Sequence, residues 1–154
     1  DVRMVLLKKI LPDGFVFFTN IKSNKGKQFI KNNNLAMCFY WESLKKQIRI
    51  SGKGSIISDR ESDLYFSSRP RKSQLGAWAS KQSNEIQSRK ILINRFKEYE
   101  KKFENKEVSR PPYWVGIKIA PICFEFWQGN QFRLHEREVY NLKQKVWQKK
   151  ILSP

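Results

Sequence analysis

The stretch WVGIKIAPICFEFWQGNQFRLHEREVY, Trp114 to Tyr140, decides the fold. Trp114 to Ile119 and Ile122 to Trp127 are short runs of branched and aromatic residues, which is strand composition. Pro121 between them predicts a bulge or an edge, because proline brings no N–H to a sheet ladder. Gly129-Asn130 predicts a hairpin turn, with the chain returning as a strand over Phe132 to Tyr140. Val146 to Leu152 continues the series. Four strand signals in forty residues leave no room for crossover helices, so the pairing is expected to be antiparallel.

Working outward, Arg110-Pro111-Pro112 is a stiff linker, and the region before it is helical. Leu92, Phe96, Tyr99 and Phe103 recur at helical spacing and predict a helix over Ile86 to Asn105. A short helical segment is expected around Gln74 to Ala79. Another is expected over Glu61 to Ser68, capped by Asp59 and ended by Pro70. Strand signals resume nearer the N-terminus. Arg3 to Ile10 and Phe15 to Thr19 flank the turn Pro12-Asp13-Gly14. Ser23 can cap a short helix to about Asn32, with Phe29 and Ile30 facing the core. Leu35 to Trp41 reads as a buried strand, and Gln47 to Ile57 as one that bends at Gly52 and Gly54. Strands, then helices, then strands point to an α+β fold with an antiparallel barrel and flanking helices.

The 154 residues suit one domain over 1–154, and 40% of them are hydrophobic, enough for a core. No apolar run approaches the ~20 residues of a membrane span. Cys38 and Cys123 lack the spacing of a metal site or redox pair, which fits buried free thiols in a reducing, cytoplasmic setting. With His135 the only histidine, a multi-histidine metal site within one chain is excluded.

The formal net charge is +17. Nucleic acid, phosphorylated small molecules or a solvated surface could each account for it. Lysine outnumbers arginine by 21 to 10 and is scattered, whereas base-reading surfaces favour clustered arginine. The pattern argues against nucleic acid as the main partner.

Several polar groups sit uncomfortably in a purely structural reading. Arg3 and Lys8 flank an apolar strand signal. Arg69, Arg71 and Ser73 surround a proline in SSRPRKSQLGAW, and Lys81-Gln82-Ser83 follows. Arg133, His135 and Arg137 alternate, so on a strand they share one face. Three aligned cations repel unless an anion or a polar ring lies among them; a wet barrel face is the plain alternative. No nucleophile elbow and no glycine-rich phosphate loop is present. Any phosphate must therefore be held by side chains gathered from several elements.

Five segments carry a resemblance: RMVLLK (Arg3 to Lys8), FFTN (Phe17 to Asn20), SRPRKSQLGAWASKQS (Ser68 to Ser83), FEFWQG (Phe124 to Gly129) and RLHER (Arg133 to Arg137). In this order and spacing they resemble the pyridoxamine 5'-phosphate oxidase family over nearly the whole chain. The resemblance implies an FMN-binding split barrel, a homodimer with flavin sites at the subunit interface. It also implies oxidation of pyridoxamine or pyridoxine 5'-phosphate by O2 to pyridoxal 5'-phosphate and hydrogen peroxide.

By that resemblance Arg3, Met4, Val5, Leu6, Leu7 and Lys8 would line the flavin. Phe18, Thr19, Lys25, Gln47, Gln82, Ser83, Trp127 and Arg137 would contact it. Lys8, Tyr65, Arg69 and Ser73 would hold the substrate phosphate, with Arg133, Leu134 and His135 at the substrate ring. Arg133 and His135 would act at the reacting centre, and no metal is implied. Such a set suits a phosphate dianion, and FMN supplies the redox chemistry, so no acid–base pair need be legible.

This chain departs from the family at Asn24, which stands where an arginine is usual beside Lys25, and at Phe18, which replaces a tyrosine. It begins at the segment carrying Arg3, whereas the family has an earlier strand and an N-terminal lid. These departures keep a second expectation open, a non-catalytic module binding FMN or pyridoxal 5'-phosphate.

Overall fold

A computed structural model describes residues 2–154. Seven strands form one antiparallel sheet: β1 (Lys9–Leu11), β2 (Gly14–Asn20), β3 (Asn34–Trp41), β4 (Lys46–Ile56), β5 (Trp114–Gln128), β6 (Glu136–Lys143) and β7 (Val146–Ile151). Four helices accompany it: α1 (Asn24–Lys31), α2 (Asp59–Ser67), α3 (Arg71–Ala79) and α4 (Arg89–Lys102). The α+β antiparallel architecture expected above is the one found.

β5 organises the sheet. One edge pairs with β4 from Ile117 to Gln128. The other edge is shared: its first half pairs with β2, its second half with β6. The two expected strands around Pro121 are thus one strand with an irregularity. Gly52 faces Pro121 while Ser51 faces Cys123, so Ile122 is the extra residue of a bulge. Gly52 permits the close approach, since a Cβ there would lie 2.1 Å from the Ala120 carbonyl oxygen.

The bulge keeps one face continuous along the sheet. Ile117 and Ile119, both 1% exposed, pack with Phe17, Phe29 and Val115 beneath α1. Fully burying an aliphatic side chain of this size contributes ~1.5–3 kcal/mol. On the opposite face Trp114 joins Phe66, Leu75, Phe103 and Val108 under α2, α3 and the end of α4.

Local signals explain most boundaries. Ser23 caps α1 by accepting from the Gly26 N–H. The cap of α2 is Ser58, one residue before the expected Asp59, because Ser58 and Glu61 complete a reciprocal capping box. Pro70 separates α2 from α3 and stands at the N-cap of the latter. The long helix begins at Arg89, three residues later than its periodicity implied.

Four local expectations are corrected. Residues 3–8 form no regular element and pair only at Lys8, whose N–H donates to Val16 O, so β1 starts only at Lys9. Ile30 is exposed, since only Phe29 of that pair falls on the core side of α1. β3 is an edge strand buried on one side only, with Leu35, Met37 and Phe39 inward and Ala36, Cys38 and Tyr40 outward. Finally, Gly129-Asn130 is not a two-residue hairpin. Residues 129–135 form a longer loop with a 3-10 turn at Gln131–Arg133.

Candidate functional site

The residues singled out from the sequence gather at the two ends of β5. Near Trp114, Phe18 of β2 belongs to a cluster of three near-parallel rings, 4.2 Å from Tyr65 and 4.8 Å from Trp114 between centroids. The Arg69 guanidinium lies over Trp114 at 4.8 Å and Phe66 at 5.4 Å. Its Nη1 is buried with no hydrogen-bond partner among the described residues. Burial pushes this guanidinium below its usual range, although arginine stays charged at any working pH. A desolvated cation with a free N–H is costly unless an acceptor completes it. Ser73 follows in the first turn of α3, half-buried.

Beside this group, Lys25 Nζ donates to Thr19 Oγ1 at 2.6 Å and reaches Gln82 Oε1 at 3.5 Å. Desolvation holds the Lys25 ammonium below the usual lysine range, and the Arg3 charge nearby adds to the effect. Two cations and a buried hydroxyl, with no carboxylate paired to Lys25 among the described residues, could hold an anion. Asn24 is the exposed first residue of α1. Ser83 sits at φ 67°, a left-handed conformation that turns the chain after Gln82. Met4, Val5, Leu6 and Lys8 are exposed and Leu7 half-buried, all in the lead-in to β1.

At the other end, Gln47 of β4, Trp127 of β5 and Arg137 of β6 are direct cross-strand partners, three side chains in one row. The next row of that face carries Arg49 and Glu125. Glu125 is 6% exposed and bridges two arginines, Arg137 Nε at 3.0 Å and Arg49 Nη2 at 3.1 Å. Arg137 Nη1 also donates to the Ser153 carbonyl at 2.9 Å. The guanidinium is thereby fixed beside Trp127. Neither Arg49 nor Glu125 was singled out from the sequence. The signal available was the alternation that places both in register with Gln47 and Trp127.

The expectation that Arg133, His135 and Arg137 line one strand face is corrected. Only Arg137 lies in a strand. Phe132 and Arg133 take left-handed backbone angles, φ 54° and 61°, inside the loop. Leu134 and Arg133 are exposed there. His135 packs on the Trp127 ring at 4.8 Å and accepts the Asn130 N–H at Nδ1. The loop takes Arg133 and His135 off the strand, so the three basic side chains do not share one face.

No group of three or more metal-ligating side chains occurs among the described residues. No helix among them is long and apolar enough to cross a membrane.

Comparison with known proteins matches this arrangement along the whole chain. The family profile described as "Pyridoxamine 5'-phosphate oxidase" matches residues 2–103, and "Pyridoxine 5'-phosphate oxidase C-terminal dimerisation region" matches 114–154. The pyridoxine/pyridoxamine 5'-phosphate oxidase of Zymomonas mobilis is 48% identical over 99% of this chain and 80% of its own length. That of Rhizobium etli is 46% identical over 100% of this chain and 76% of its own. Among solved structures, PhzG from Burkholderia lata, in complex with tetrahydrophenazine-1-carboxylic acid, superposes with a TM-score of 0.92 at 28% identity, over 99% of this chain and 74% of that one. A pyridoxamine 5'-phosphate oxidase-related, FMN binding protein from Nostoc punctiforme shares the fold at a TM-score of 0.76 and 15% identity, over 99% of this chain and 80% of that one. A profile match over both halves, joined to relatives that are 46–48% identical over nearly the whole of this chain, places the chain in the pyridoxine/pyridoxamine 5'-phosphate oxidase family, FMN-dependent oxidases on a split β-barrel.

Proposed function

We propose that the residues at the two ends of β5 form the oxidase site of this chain, each site being built from two copies of it. The activity is oxidation of pyridoxine or pyridoxamine 5'-phosphate by O2 to pyridoxal 5'-phosphate and hydrogen peroxide; the amine also consumes water and releases ammonia. FMN, when bound, would supply the two-electron redox chemistry between the substrate carbon and O2.

The observation that carries the site is Arg69. Its buried Nη1 lacks an acceptor, and the phosphate of the substrate supplies one. Tyr65, close enough to act on the Arg69 charge, and Ser73 would add hydroxyls, and Lys8 would add a cation from the lead-in to β1. Thr19, Lys25, Gln82 and Ser83, with Arg3, form the second anion site and suit the FMN phosphate. Residues 4–7 and Phe18 suit its flanks.

Gln47, Trp127 and Arg137 belong to the same cofactor but stand far from these groups. Phe18 pairs with Gly116, and Gln47 and Arg137 pair with Trp127. About 11 residues of β5 intervene, roughly 35 Å of extended chain. One FMN does not span that contour. A two-fold dimer brings the far end of one copy to the near end of the other, which makes both sites complete. Arg133, Leu134 and His135 then come from the partner copy, with Arg133 clamping the substrate ring. Cys38 is exposed and Cys123 half-buried, so the expectation of buried thiols is corrected; as free thiols they fit a cytoplasmic setting.

The test is a visible spectrum of the protein after adding FMN and desalting, followed by pyridoxine 5'-phosphate in air. A retained flavin band with pyridoxal 5'-phosphate and peroxide accumulating is the expected result. A retained band without product would leave a binding module. A colourless protein would sink the site.

A further inference from the structure

The residues proposed for the substrate phosphate stand on two helices and the link between them. Tyr65 is in α2, Ser73 is in the first turn of α3, and Arg69 lies between, directly before Pro70. The described contacts of the Arg69 guanidinium are with ring faces, Trp114 at 4.8 Å and Phe66 at 5.4 Å. A ring face attracts a cation without fixing which N–H points where. The aim of the guanidinium therefore depends on how the backbone from Phe66 to Pro70 is held.

One residue holds that backbone on both sides of Arg69. Gln74, in α3, is 7% exposed. Its Nε2 donates to Phe66 O and to Ser67 O, each at 3.0 Å. Its backbone N–H donates to Pro70 O at 3.1 Å. Both side-chain partners are carbonyl oxygens, which only accept, so the amide must turn its NH2 group toward them. We infer that Gln74 is a positioning residue for Arg69: it clamps the segment from Phe66 to Pro70 so that the guanidinium meets the substrate phosphate, and it does not touch the substrate. This rests on the assignment of Arg69 to that phosphate proposed above.

Helix chemistry explains why a donor is needed at this point. The last carbonyls of a helix have no partner within it. The last turn of α2 has no basic residue to cover them, and Pro70 brings no N–H. Left bare, those carbonyls carry the negative end of the helix dipole, beside a link that is to receive an anion. Phe66 O also accepts the Arg69 N–H at 3.2 Å. The Gln74 amide thus acts on the same oxygen that anchors the Arg69 backbone. Phe66 itself is 1% exposed in the core, which gives the clamp a fixed base.

Gln74→Met, Arg69→Ala and the double variant, each FMN-loaded, test this. Methionine keeps the length of the side chain and removes its donors. We expect Gln74→Met to raise KM for pyridoxine 5'-phosphate about 5- to 30-fold, the size of one or two such hydrogen bonds. Competitive inhibition by inorganic phosphate should weaken by a similar factor. Turnover and FMN affinity should stay within about twofold, the split expected when only substrate binding is lost. In the Arg69→Ala background, Gln74→Met should add less than about twofold, because nothing is left to position. Ser58→Ala, at the other end of α2, loosens the helix without touching the clamp and should move neither KM nor phosphate inhibition. If Gln74→Met does not fold, Gln74→Asn serves, since it keeps an amide on a stem one carbon shorter; the same split is expected at smaller size.

Unchanged KM and phosphate inhibition in Gln74→Met, with Arg69→Ala impaired, would overturn the inference and leave the phosphate assignment standing. An equal fall of kcat and FMN affinity would overturn it too, because that is the mark of a residue needed only for folding. Full additivity in the double variant would show that Gln74 does not act through Arg69. A normal KM in Arg69→Ala would remove Arg69 from the phosphate, and the role of Gln74 with it.

Discussion

The two ends of β5 carry similar residue types in different surroundings. Near Trp114, the site candidates lie on finished packing: Phe18, Tyr65 and Trp114 stack under α2 and α3, and Arg69 is desolvated against them. Near Trp127, no helix covers the sheet. The side chains there are held by polar ties, chiefly Glu125 between Arg49 and Arg137. The reverse face of the same region is a largely apolar hollow of about 560 Å³ lined by Phe124, Phe126, Tyr140 and Trp147, with Glu138 at its side. Phe126 and Trp147 are 41% and 40% exposed there. A contiguous exposed apolar surface marks an interaction site. It falls within the dimerisation region at residues 114–154. One end is packed by the chain's own helices, and the other leaves its apolar face open.

Mixing two defective variants is the strongest way to break this comparison. Arg69→Ala damages the first end and Arg137→Ala the second. Each homodimer should have little activity. Dissociated and reassociated together, half the dimers carry one intact site of two, so about a quarter of wild-type activity should return. No recovery would mean that both ends serve a site within one copy.

Glu125→Gln sharpens the account of the second end. It keeps the shape but removes the charge that orients Arg137. FMN affinity should fall about 5- to 30-fold, as for loss of one charge-assisted hydrogen bond. Fluorescence titration of FMN reads this, with circular dichroism to check the fold. Unchanged affinity alongside a weakened Arg137→Ala would show that Arg137 needs no such support.

The first end should respond to pH instead. The folded-state pKa of Lys25 is depressed by desolvation and by Arg3. Its charge is therefore lost at lower pH than for an ordinary lysine, and a bound phosphate raises that pKa again. FMN affinity should decline as pH rises through the depressed value, with proton uptake on binding in that window. For folding the sign is the reverse. The unfolded chain holds the proton more tightly, so this group's contribution to stability rises with pH between the folded and unfolded values. Lys25→Arg should hold affinity further into alkali. An identical pH profile for both proteins would refute the assignment.

The smallest effect is expected away from both ends. Ser58→Ala breaks the capping box of α2 and should cost about 1 kcal/mol, lowering Tm by roughly 2–4 °C with turnover unchanged. Loss of FMN binding in that variant would show α2 to be coupled to the site more tightly than its packing suggests.

Much of the fold was legible because the signals were local. The strand composition of Phe15 to Thr19 and of Trp114 to Trp127, the Ser23 cap and the proline between α2 and α3 each act within a few residues. The reading failed where neighbours in space decide. Arg3 to Ile10 has strand composition, yet its first six residues have no ladder partner except at Lys8. Alternation put Arg133 and His135 on a strand, but two left-handed residues and the tie from Asn130 make a loop there. Glu125 looked like one acid in an aromatic run until the register set it between two arginines.

Residue types and motif order, by themselves, determined the family, the need for anion-binding side chains and the antiparallel class. Periodicity and phosphate chemistry are both written in residue identity. Tertiary structure alone decided which candidates meet. The bulge at Ile122 keeps one face continuous, the shared edge of β5 separates β2 from β6, and the two groups of candidate residues end up at opposite ends of one strand. Register and strand length are properties of pairing, and no single segment contains them.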